Sequence, residues 1–318
     1  MTMSSMWNIR NMRTMMIDYK HDEDWDGLYQ LCSISHPASE RWFIEYLFDN
    51  YYHQIDGIVD SEDDKIIACL FQEEHALTFN QKILLVNWIF QIATHPDYRR
   101  RGHMDYLLEH QLRVSEANYL ISFMEVYNPR IFKKYGFEEI THRKRFSIAS
   151  KEIPVLNAKG VSFADDPEEL EAIYQEYIKH FDCHYLRDVN YYLHYLQQIK
   201  ANDGKIAIYR KGGIAKGYCI YFERDDLIEV KEMVYLDAIT LYKLLRFAIG
   251  LSAFISLEVS EGEKVETLFK RGMPRQATCI MARVNNLALF NKLYGCEVKN
   301  TSEAFNILKK PINLNEKH

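Results

Sequence analysis

Residues 89–113, IFQIATHPDYRRRGHMDYLLEHQLR, decide the fold, because an apolar strand, a basic turn with a glycine and an amphipathic helix follow one another there without interruption. Phe90 and Ile92 belong to a β-prone run that is too apolar for the edge of a sheet. Pro96 ends this run. The pattern therefore predicts a central strand over residues 82–93.

The basic turn that follows has the features of a phosphate site. Arg99, Arg100 and Arg101 lead into Gly102, where the absence of a Cβ lets successive backbone N–H groups turn toward an anion. The helix predicted over 102–117 opens at this glycine, so its free N–H groups and positive dipole end point to the same place. A solvated turn is the alternative for any short charge run, and the order of the next elements decides between the two.

A second predicted strand, Tyr119–Glu125, follows the helix, and after it comes the segment Asn128–Phe137, NPRIFKKYGF. This order resembles the GCN5-related N-acetyltransferases (GNAT), whose cofactor turn is written Arg/Gln-x-x-Gly-x-Gly/Ala and whose next helix ends in Gly-Phe. The turn here, Arg99-x-x-Gly102-x-Met104, departs from that pattern at its last position. The resemblance implies an α+β (α/β) fold built on a mixed twisted sheet, with acetyl-CoA as cosubstrate.

The composition bounds the class of protein. With 318 residues and a hydrophobic fraction of 47%, the chain can form one or two packed cores, and two domains are the default expectation. A net charge of −6 argues against a nucleic-acid partner and mildly favours cationic small molecules or peptides. No apolar run approaches the roughly 18–20 residues of a membrane helix, so no membrane partner is expected.

The cysteines favour a reducing compartment. Six of them are scattered along the chain without a CxxC or any close pair, so neither a zinc site nor a disulfide framework is indicated. We expect a cytoplasmic protein that binds no metal.

The order of predicted elements divides the chain into two units of similar plan. We predict a disordered tail over 1–14, an N-terminal catalytic domain over 15–149, a linker over 150–159, a degenerate second domain of the same fold over 160–295 and a C-terminal extension over 296–318. In the second domain a strand over 227–235 again leads into a helix, over 238–249. Residues 235–243, YLDAITLYK, contain neither glycine nor arginine, so we expect this junction to hold no pyrophosphate.

Other predicted elements fill the space between these landmarks. The pattern predicts strands over 15–19, 54–59, 66–73, 161–163, 205–209 and 217–223, a strand pair through 145–148, and helices over 22–32, 39–52, 129–134, 167–181 and 186–199.

A closer resemblance lies in the turn Arg99-Arg-Arg-Gly102 and in the helix run Leu107–Leu112, LLEHQL. Both are similar to the enhanced intracellular survival (Eis) family of bacterial acetyltransferases, and so are Val234–Asp237, Leu244–Phe247 and Met281–Leu287. That family pairs a working acetyltransferase domain with a degenerate second one and usually adds a sterol-carrier-like third domain. The residues after Tyr294 are too few for such an independent core, so we expect the third domain to be missing or truncated in this sequence.

These features predict a cofactor-binding set: Ile92, Thr94, Arg99, Arg100, Gly102, His103, Met104 and Asn128. Gly102 and its neighbours would act through backbone N–H groups, and the arginines partly through charge. The resemblance implies that backbone groups around Ile92 and Thr94 bind the pantetheine arm and the thioester oxygen.

The group that protonates the leaving thiolate is less clear from the residues. GNAT enzymes use a tyrosine four residues before the glycine of Gly-Phe, and counting back from Gly136 gives Phe132, which has no proton to donate. Either Tyr127 or Tyr135 substitutes, or coenzyme A leaves as a thiolate that solvent protonates. We take Tyr127 as the candidate acid, with packing in the core or at a sheet edge as its alternative role.

The general base is also displaced from the family pattern. The resemblance implies a terminal carboxylate carried by the third domain, so His318 cannot be assigned to this role. Glu125 is the remaining candidate base, directly or through a water, and a solvated sheet edge is its alternative. His95 precedes the basic turn, where a lone histidine is more often structural.

Two classes of function remain. The first is an acetyl-CoA-dependent N-acetyltransferase acting on a primary amine of a small molecule or peptide. The second is a catalytically weak acyl-CoA-binding sensor or assembly protein, suggested by Phe132 and the missing base domain. The cofactor turn favours the first, while the acceptor amine and homo-oligomerisation stay open.

Overall fold

The computed structural model describes residues 17–36, 41–269 and 274–315. Two compact units can be distinguished: residues 17–74 and 87–124 form the first unit, and residues 75–86 and 125–315 form the second. Each contains a mixed sheet with helices on it, which confirms the predicted mixed α/β fold class. The predicted tail over 1–14 lies outside the described residues, and the predicted domain boundaries stay a prediction.

The strands and helices have the following bounds. The strands are β1 (Ile17–Tyr19), β2 (Asp56–Glu62), β3 (Lys65–Phe79), β4 (Lys82–Thr94), β5 (Ile121–Val126), β6 (Glu138–Ala149), β7 (Val161–Phe163), β8 (Cys183–Tyr185), β9 (Lys205–Lys211), β10 (Ile214–Arg224), β11 (Leu227–Tyr235), β12 (Phe254–Ser260), β13 (Arg275–Val284) and β14 (Ile312–Asn313). The α-helices are α1 (Trp25–Ser35), α2 (Arg41–Asn50), α3 (His103–Asn118), α4 (Pro167–Tyr177), α5 (Val189–Ala201), α6 (Ala238–Ile249), α7 (Leu287–Tyr294) and α8 (Thr301–Phe305).

The sheet of the first unit has the strand order β1-β2-β3-β4-β5. β1, β2 and β3 are antiparallel neighbours, whereas β4 and β5 are parallel and joined through α3. Leu28 of α1 and Phe48 of α2 are buried with Phe71 of β3 in one apolar cluster. Leu107 and Leu108 bury the inner face of α3. This packing fixes the point where β4 ends and α3 begins.

The sheet of the second unit has the strand order β13-β6-β12-β11-β10-β9-β7. Its one parallel pair within this order is β11–β12, joined through α6, and the other pairs are antiparallel. Leu241, Leu244 and Leu245 of α6 are fully buried in an apolar cluster with strand residues. β14 pairs in parallel with β8, which pairs with the end of β3. Residues 312–313 are therefore part of this folded unit.

Several predicted elements differ from the structure. The helix expected over 129–134 is a pair of 3₁₀ turns, Pro129–Ile131 and Lys133–Tyr135, because the segment between Pro129 and the left-handed Gly136 is too short for a stable α-helix. The strand pair expected through 145–148 is the single strand β6, whose sequence contains no glycine or proline to turn it. Strands β8, β12, β13 and β14 and helices α7 and α8 were not predicted.

No helix among the described residues combines the length and the apolar character that crossing a membrane requires.

Candidate functional site

The backbone of β4 leaves its parallel neighbour before the strand ends. Asn87 pairs with Ser122 and Trp88 with Phe123, and no later pair continues this register between the described residues of β4 and β5. Gln91 has a φ of +50°, and a left-handed residue inside a strand is typical of a β-bulge. Ile92 and Thr94 therefore lie beyond the part of β4 that pairs with β5, which is where the resemblance implies a backbone-binding site.

The turn after β4 presents backbone N–H groups in the way an anion site needs. Arg100 has a φ of +63° and Gly102 a φ of +92°, and such turns make concavities lined with N–H groups. Gly102 is the N-terminal cap of α3 and has no side chain with which to cap it, and the first turn of the helix carries one acidic residue, Asp105. The amides of His103 and Met104 therefore lie at the positive end of the helix dipole, and the N-cap residue offers them no side-chain acceptor.

This open helix end contrasts with the helices of the second unit. Helices α4 to α8 each begin at an Asp or Asn whose side-chain oxygen accepts a backbone N–H of the first turn: Asp166, Asp188, Asp237, Asn286 and Asn300. Such caps satisfy the amides that would otherwise bind a ligand. At the start of α6, Asp237 Oδ1 accepts the Thr240 N–H at 2.7 Å and its hydroxyl at 2.9 Å.

The arginines of the turn divide into different roles. Arg99 Nε donates to the Thr94 carbonyl at 3.2 Å, and Arg101 Nη2 donates to the Asp97 carbonyl at 2.7 Å. These contacts fix the shape of the turn. The Arg100 side chain is exposed. All three cations stay beside the helix end, where their charge favours an anion.

His103 contributes its backbone and not its ring to this surface. The ring is 4% exposed, and its Nδ1 lies 2.7 Å from Asp60 Oδ2 on β2. Because Asp60 is also buried, the pair ties the first residue of α3 to the sheet. The other oxygen, Asp60 Oδ1, has no hydrogen-bond partner among the described residues.

The structure thus brings seven of the predicted residues together at the β4–α3 junction of the first unit: Ile92, Thr94, Arg99, Arg100, Gly102, His103 and Met104. His95, which the sequence favoured as structural, caps the 3₁₀ turn Pro96–Tyr98 through its Nδ1. Sequence reasoning missed Asp60, whose partner lies 43 positions away and which stands in an ordinary acidic run.

Glu125, Tyr127 and Asn128 belong to the second unit and are described by themselves. The Glu125 carboxylate accepts from Arg143 Nε at 3.0 Å and Nη2 at 3.1 Å, and the Thr278 hydroxyl also donates to it. A two-pronged arginine contact of this kind is strong. Glu125 is therefore a well-anchored carboxylate, and its role as a base stays a prediction.

The two residues after β5 have different surroundings. Tyr127 is 73% exposed, so packing in the core, one alternative weighed for it, does not apply. Asn128 Oδ1 accepts the Arg130 N–H at 3.3 Å and caps the first 3₁₀ turn. Phe132, at the position where the resemblance expects a tyrosine, is 8% exposed. The acid role of Tyr127 and the cofactor role of Asn128 are not tested by these contacts.

Comparison with protein families matches residues 17–140 to an acetyltransferase (GNAT) domain. No curated protein matches the chain. Similar solved structures include a probable N-acyltransferase of unknown function from Enterococcus faecalis V583, with a TM-score of 0.72 and 18% identity over 88% of this chain and 75% of that one. A GCN5-related N-acetyltransferase from Kribbella flavida has a TM-score of 0.65 and 15% identity over 85% and 72%.

Eis1 from Mycobacterium abscessus is also similar, with a TM-score of 0.60 and 14% identity over 87% of this chain and 76% of that one. At such identities the likeness establishes the fold alone, and the domain match concerns residues 17–140.

Proposed function

We propose that the chain, whose residues 17–140 match an acetyltransferase (GNAT) domain, transfers the acetyl group of acetyl-CoA to a primary amine of a small molecule or peptide. GNAT acetyltransferases use acetyl-CoA in general. The observation that carries the proposal for this chain is the start of α3, where a left-handed Gly102 replaces the side-chain cap. A diphosphate suits such a helix end.

The cofactor would be held by backbone groups more than by side chains. The amides of Gly102, His103 and Met104 would donate to the pyrophosphate, and the charge of Arg100 would add to the attraction. The amide of Ile92, just after the bulge at Gln91, would donate to the thioester oxygen. An amide aimed at that oxygen also stabilises the negative charge that develops on it during transfer.

The chemistry then needs two proton movements. The amine nitrogen forms a bond to the acetyl carbon as the carbon–sulfur bond breaks, the ammonium loses a proton and the thiolate gains one. We propose Tyr127 as the donor to the thiolate, supported by its exposed side chain. We propose Glu125 as the acceptor of the ammonium proton, directly or through a water, supported by its place near the end of β5, where Arg143 anchors its carboxyl group.

Tyr127→Phe tests the donor without changing the shape of the side chain. A fall in kcat with unchanged acetyl-CoA affinity supports the role, whereas an unchanged kcat rules out Tyr127 and leaves Tyr135 or solvent as the donor.

The net charge of −6 supports a cationic acceptor. The direct test is release of coenzyme A from acetyl-CoA in the presence of polyamines, aminoglycosides or lysine-containing peptides. We expect turnover with at least one class. Binding of acetyl-CoA without coenzyme A release in any of the three would contradict the transferase proposal.

One observation favours a second candidate, a catalytically weak acyl-CoA-binding sensor or assembly protein. Phe132 places a buried phenyl group where the GNAT resemblance expects a proton donor. This candidate predicts acetyl-CoA binding with negligible kcat for every amine. It would be favoured if none of the three classes of amine is acetylated.

A further inference from the structure

An irregular register between β6 and β13 brings three different metal-binding side chains to one face of the second unit. Cys279 pairs with His142 and Ile280 with Thr141, but the next residue of β13, Met281, pairs with Glu139. The residue of β6 that this register skips forms a β-bulge. Side chains on the two sides of the bulge therefore no longer alternate regularly between the two faces of the sheet. Glu139 and His142 therefore project on the same side as Cys279.

The potential ligand atoms lie close together. His142 Nε2 is 3.4 Å from Glu139 Oε2, Cys279 Sγ is 3.8 Å from the same oxygen, and the three atoms all lie within 4.8 Å of one another. In a tetrahedral zinc site with bonds of about 2.0–2.3 Å, neighbouring ligand atoms are roughly 3.3–3.6 Å apart. Small side-chain adjustments would give that geometry.

The residues that contact these side chains bind the atoms that face away from the proposed metal ion, so the atoms that face it stay available as ligands. Glu261 Oε2 lies 3.3 Å from His142 Nδ1 and also accepts the His142 backbone N–H at 3.1 Å. A carboxylate on one ring nitrogen directs the other nitrogen to a metal, as in many metal sites. Lys133 Nζ lies 2.7 Å from Glu139 Oε1 and so leaves Oε2 for the ion.

We propose that Glu139, His142 and Cys279 bind one Zn²⁺ ion, with Glu261 and Lys133 as outer partners and a water completing the coordination. A thiolate with an imidazole suits zinc, whereas Mg²⁺ and Ca²⁺ require oxygen ligands. The ion would join β6 to β13 and stabilise the second unit. The inference is independent of acetyl transfer.

Binding must displace a proton from the thiol. Burial, and then the carboxylate of Glu139, raise the pKa of Cys279 to about 12, while the ion pair with Lys133 lowers the pKa of Glu139. Glu139, His142, Glu261 and Lys133 are the ionisable groups that surround the thiol. A cysteine binds zinc as the thiolate, so a thiol at this position must lose its proton when the ion binds, which is about one proton per ion.

Cobalt(II) tests the ligand set, because a cobalt–thiolate bond gives a charge-transfer band in the near ultraviolet that oxygen and nitrogen ligands do not give. The full chain, treated with a chelator and dialysed, is titrated with Co²⁺ and then with Zn²⁺. We expect the band in the wild type and in the control Cys296→Ser, its loss in Cys279→Ser, and its removal by an equivalent of Zn²⁺. Absence of the band in the wild type, or its persistence in Cys279→Ser, overturns the proposal.

Calorimetry with Zn²⁺ covers the case in which Cys279→Ser does not fold. Glu261→Gln changes only the outer partner of His142 and should weaken binding about 10–100-fold, with the far-ultraviolet circular dichroism unchanged. Titration in two buffers of different ionisation enthalpy should report about one released proton per ion. Equal affinity in the wild type, Glu261→Gln and His142→Gln would contradict the assignment.

Discussion

The two strand-to-helix junctions, β4–α3 in the first unit and β11–α6 in the second, follow the same plan and differ at the helix N-terminus. Each joins two parallel strands through a helix, and each strand is irregular before its end, at Gln91 in β4 and at Lys231 in β11, which the β10–β11 register skips. α3 starts at a left-handed glycine without a side-chain cap. α6 starts at Asp237, whose carboxylate takes up the first-turn amide of Thr240.

The difference shows what makes a helix end available to a phosphate. Any helix has free amides and a positive dipole end at its start, so these features alone do not distinguish the junctions. A capping carboxylate accepts a hydrogen bond from one of these amides, and its negative charge repels a phosphate that approaches the same helix end. We therefore expect the first junction to bind a diphosphate and the second to bind none.

The largest expected effect comes from Gly102→Val. A β-branched side chain disfavours the left-handed backbone and places a Cβ where the diphosphate must approach. We expect acetyl-CoA affinity to fall by about 100-fold or more, which is roughly 3 kcal/mol. Gly213→Val is the matched control, because Gly213 also has a positive φ, of +83°, with open space around it. Calorimetry should show normal binding in the control. Undiminished affinity in Gly102→Val would contradict the proposed diphosphate site at the start of α3.

The substitution Phe132→Tyr tests whether protonation of the leaving thiolate limits turnover with acetyl-CoA bound at the first junction. We expect kcat to be unchanged or higher, because the hydroxyl adds a donor at the position that GNAT enzymes use. General acid catalysis is typically worth about 10²–10⁴-fold, so a gain of that size would identify protonation as limiting. If Phe132 instead seals an apolar pocket, an unpartnered hydroxyl would cost roughly 1–3 kcal/mol. Initial rates would then fall, against the expectation.

Asp237→Ala removes the cap that distinguishes the second junction. Loss of an N-cap costs about 0.5–2 kcal/mol of stability, and Asp188→Ala, which removes the cap of α5, should cost a similar amount in urea unfolding. Acetyl-CoA should still bind with one molecule per chain, because residues 235–243 contain no glycine or arginine. A second binding site in Asp237→Ala would show that the cap alone had closed the junction.

The smallest expected effect is a pH dependence of stability, caused by a buried carboxyl group beside Tyr235, the last residue of β11. Glu263 is buried beside Tyr177 and Tyr235, and burial raises its pKa above the ordinary value of 4.5. Its Oε2 has no hydrogen-bond partner among the described residues. Because the folded state holds this proton more tightly, the stabilisation is complete below pH 4.5 and is lost as pH rises toward the folded pKa.

Glu263→Gln should remove this dependence on pH. Relative to the wild type, the variant should gain stability as pH rises from 4.5, by about 1.4 kcal/mol for each unit by which the folded pKa exceeds the unfolded one. Glu223→Gln, at an exposed carboxylate paired with Lys205, is the control. Parallel Tm profiles of Glu263→Gln and the wild type across pH 4–8 would contradict the assignment.

The first junction could be predicted from the sequence because its parts are contiguous. The strand, the basic turn, Gly102 and the helix all fall within residues 89–113, and each is specified by local patterns. The expectation that the second junction binds no pyrophosphate is equally local, since it depends on which residues stand between 235 and 243.

Contacts between distant residues could not be predicted in this way. Arg143 stands in an ordinary basic run, HRKR, and nothing in the sequence indicates that it binds Glu125. Cys279 lies 140 positions from Glu139, so the absence of a CxxC or other local motif gave no reason to expect a metal cluster. The left-handed conformation of Gln91 could not be predicted either, because glutamine has no special preference for that conformation.

A crystal structure of the chain with coenzyme A tests the central claim most directly. The account predicts one coenzyme A per chain, with pyrophosphate oxygens at about 2.7–3.2 Å from the backbone nitrogens of residues 102–104 and no phosphate at Asp237. A pyrophosphate at the start of α6, or one that contacts arginine side chains while the amides of residues 102–104 face elsewhere, would contradict it.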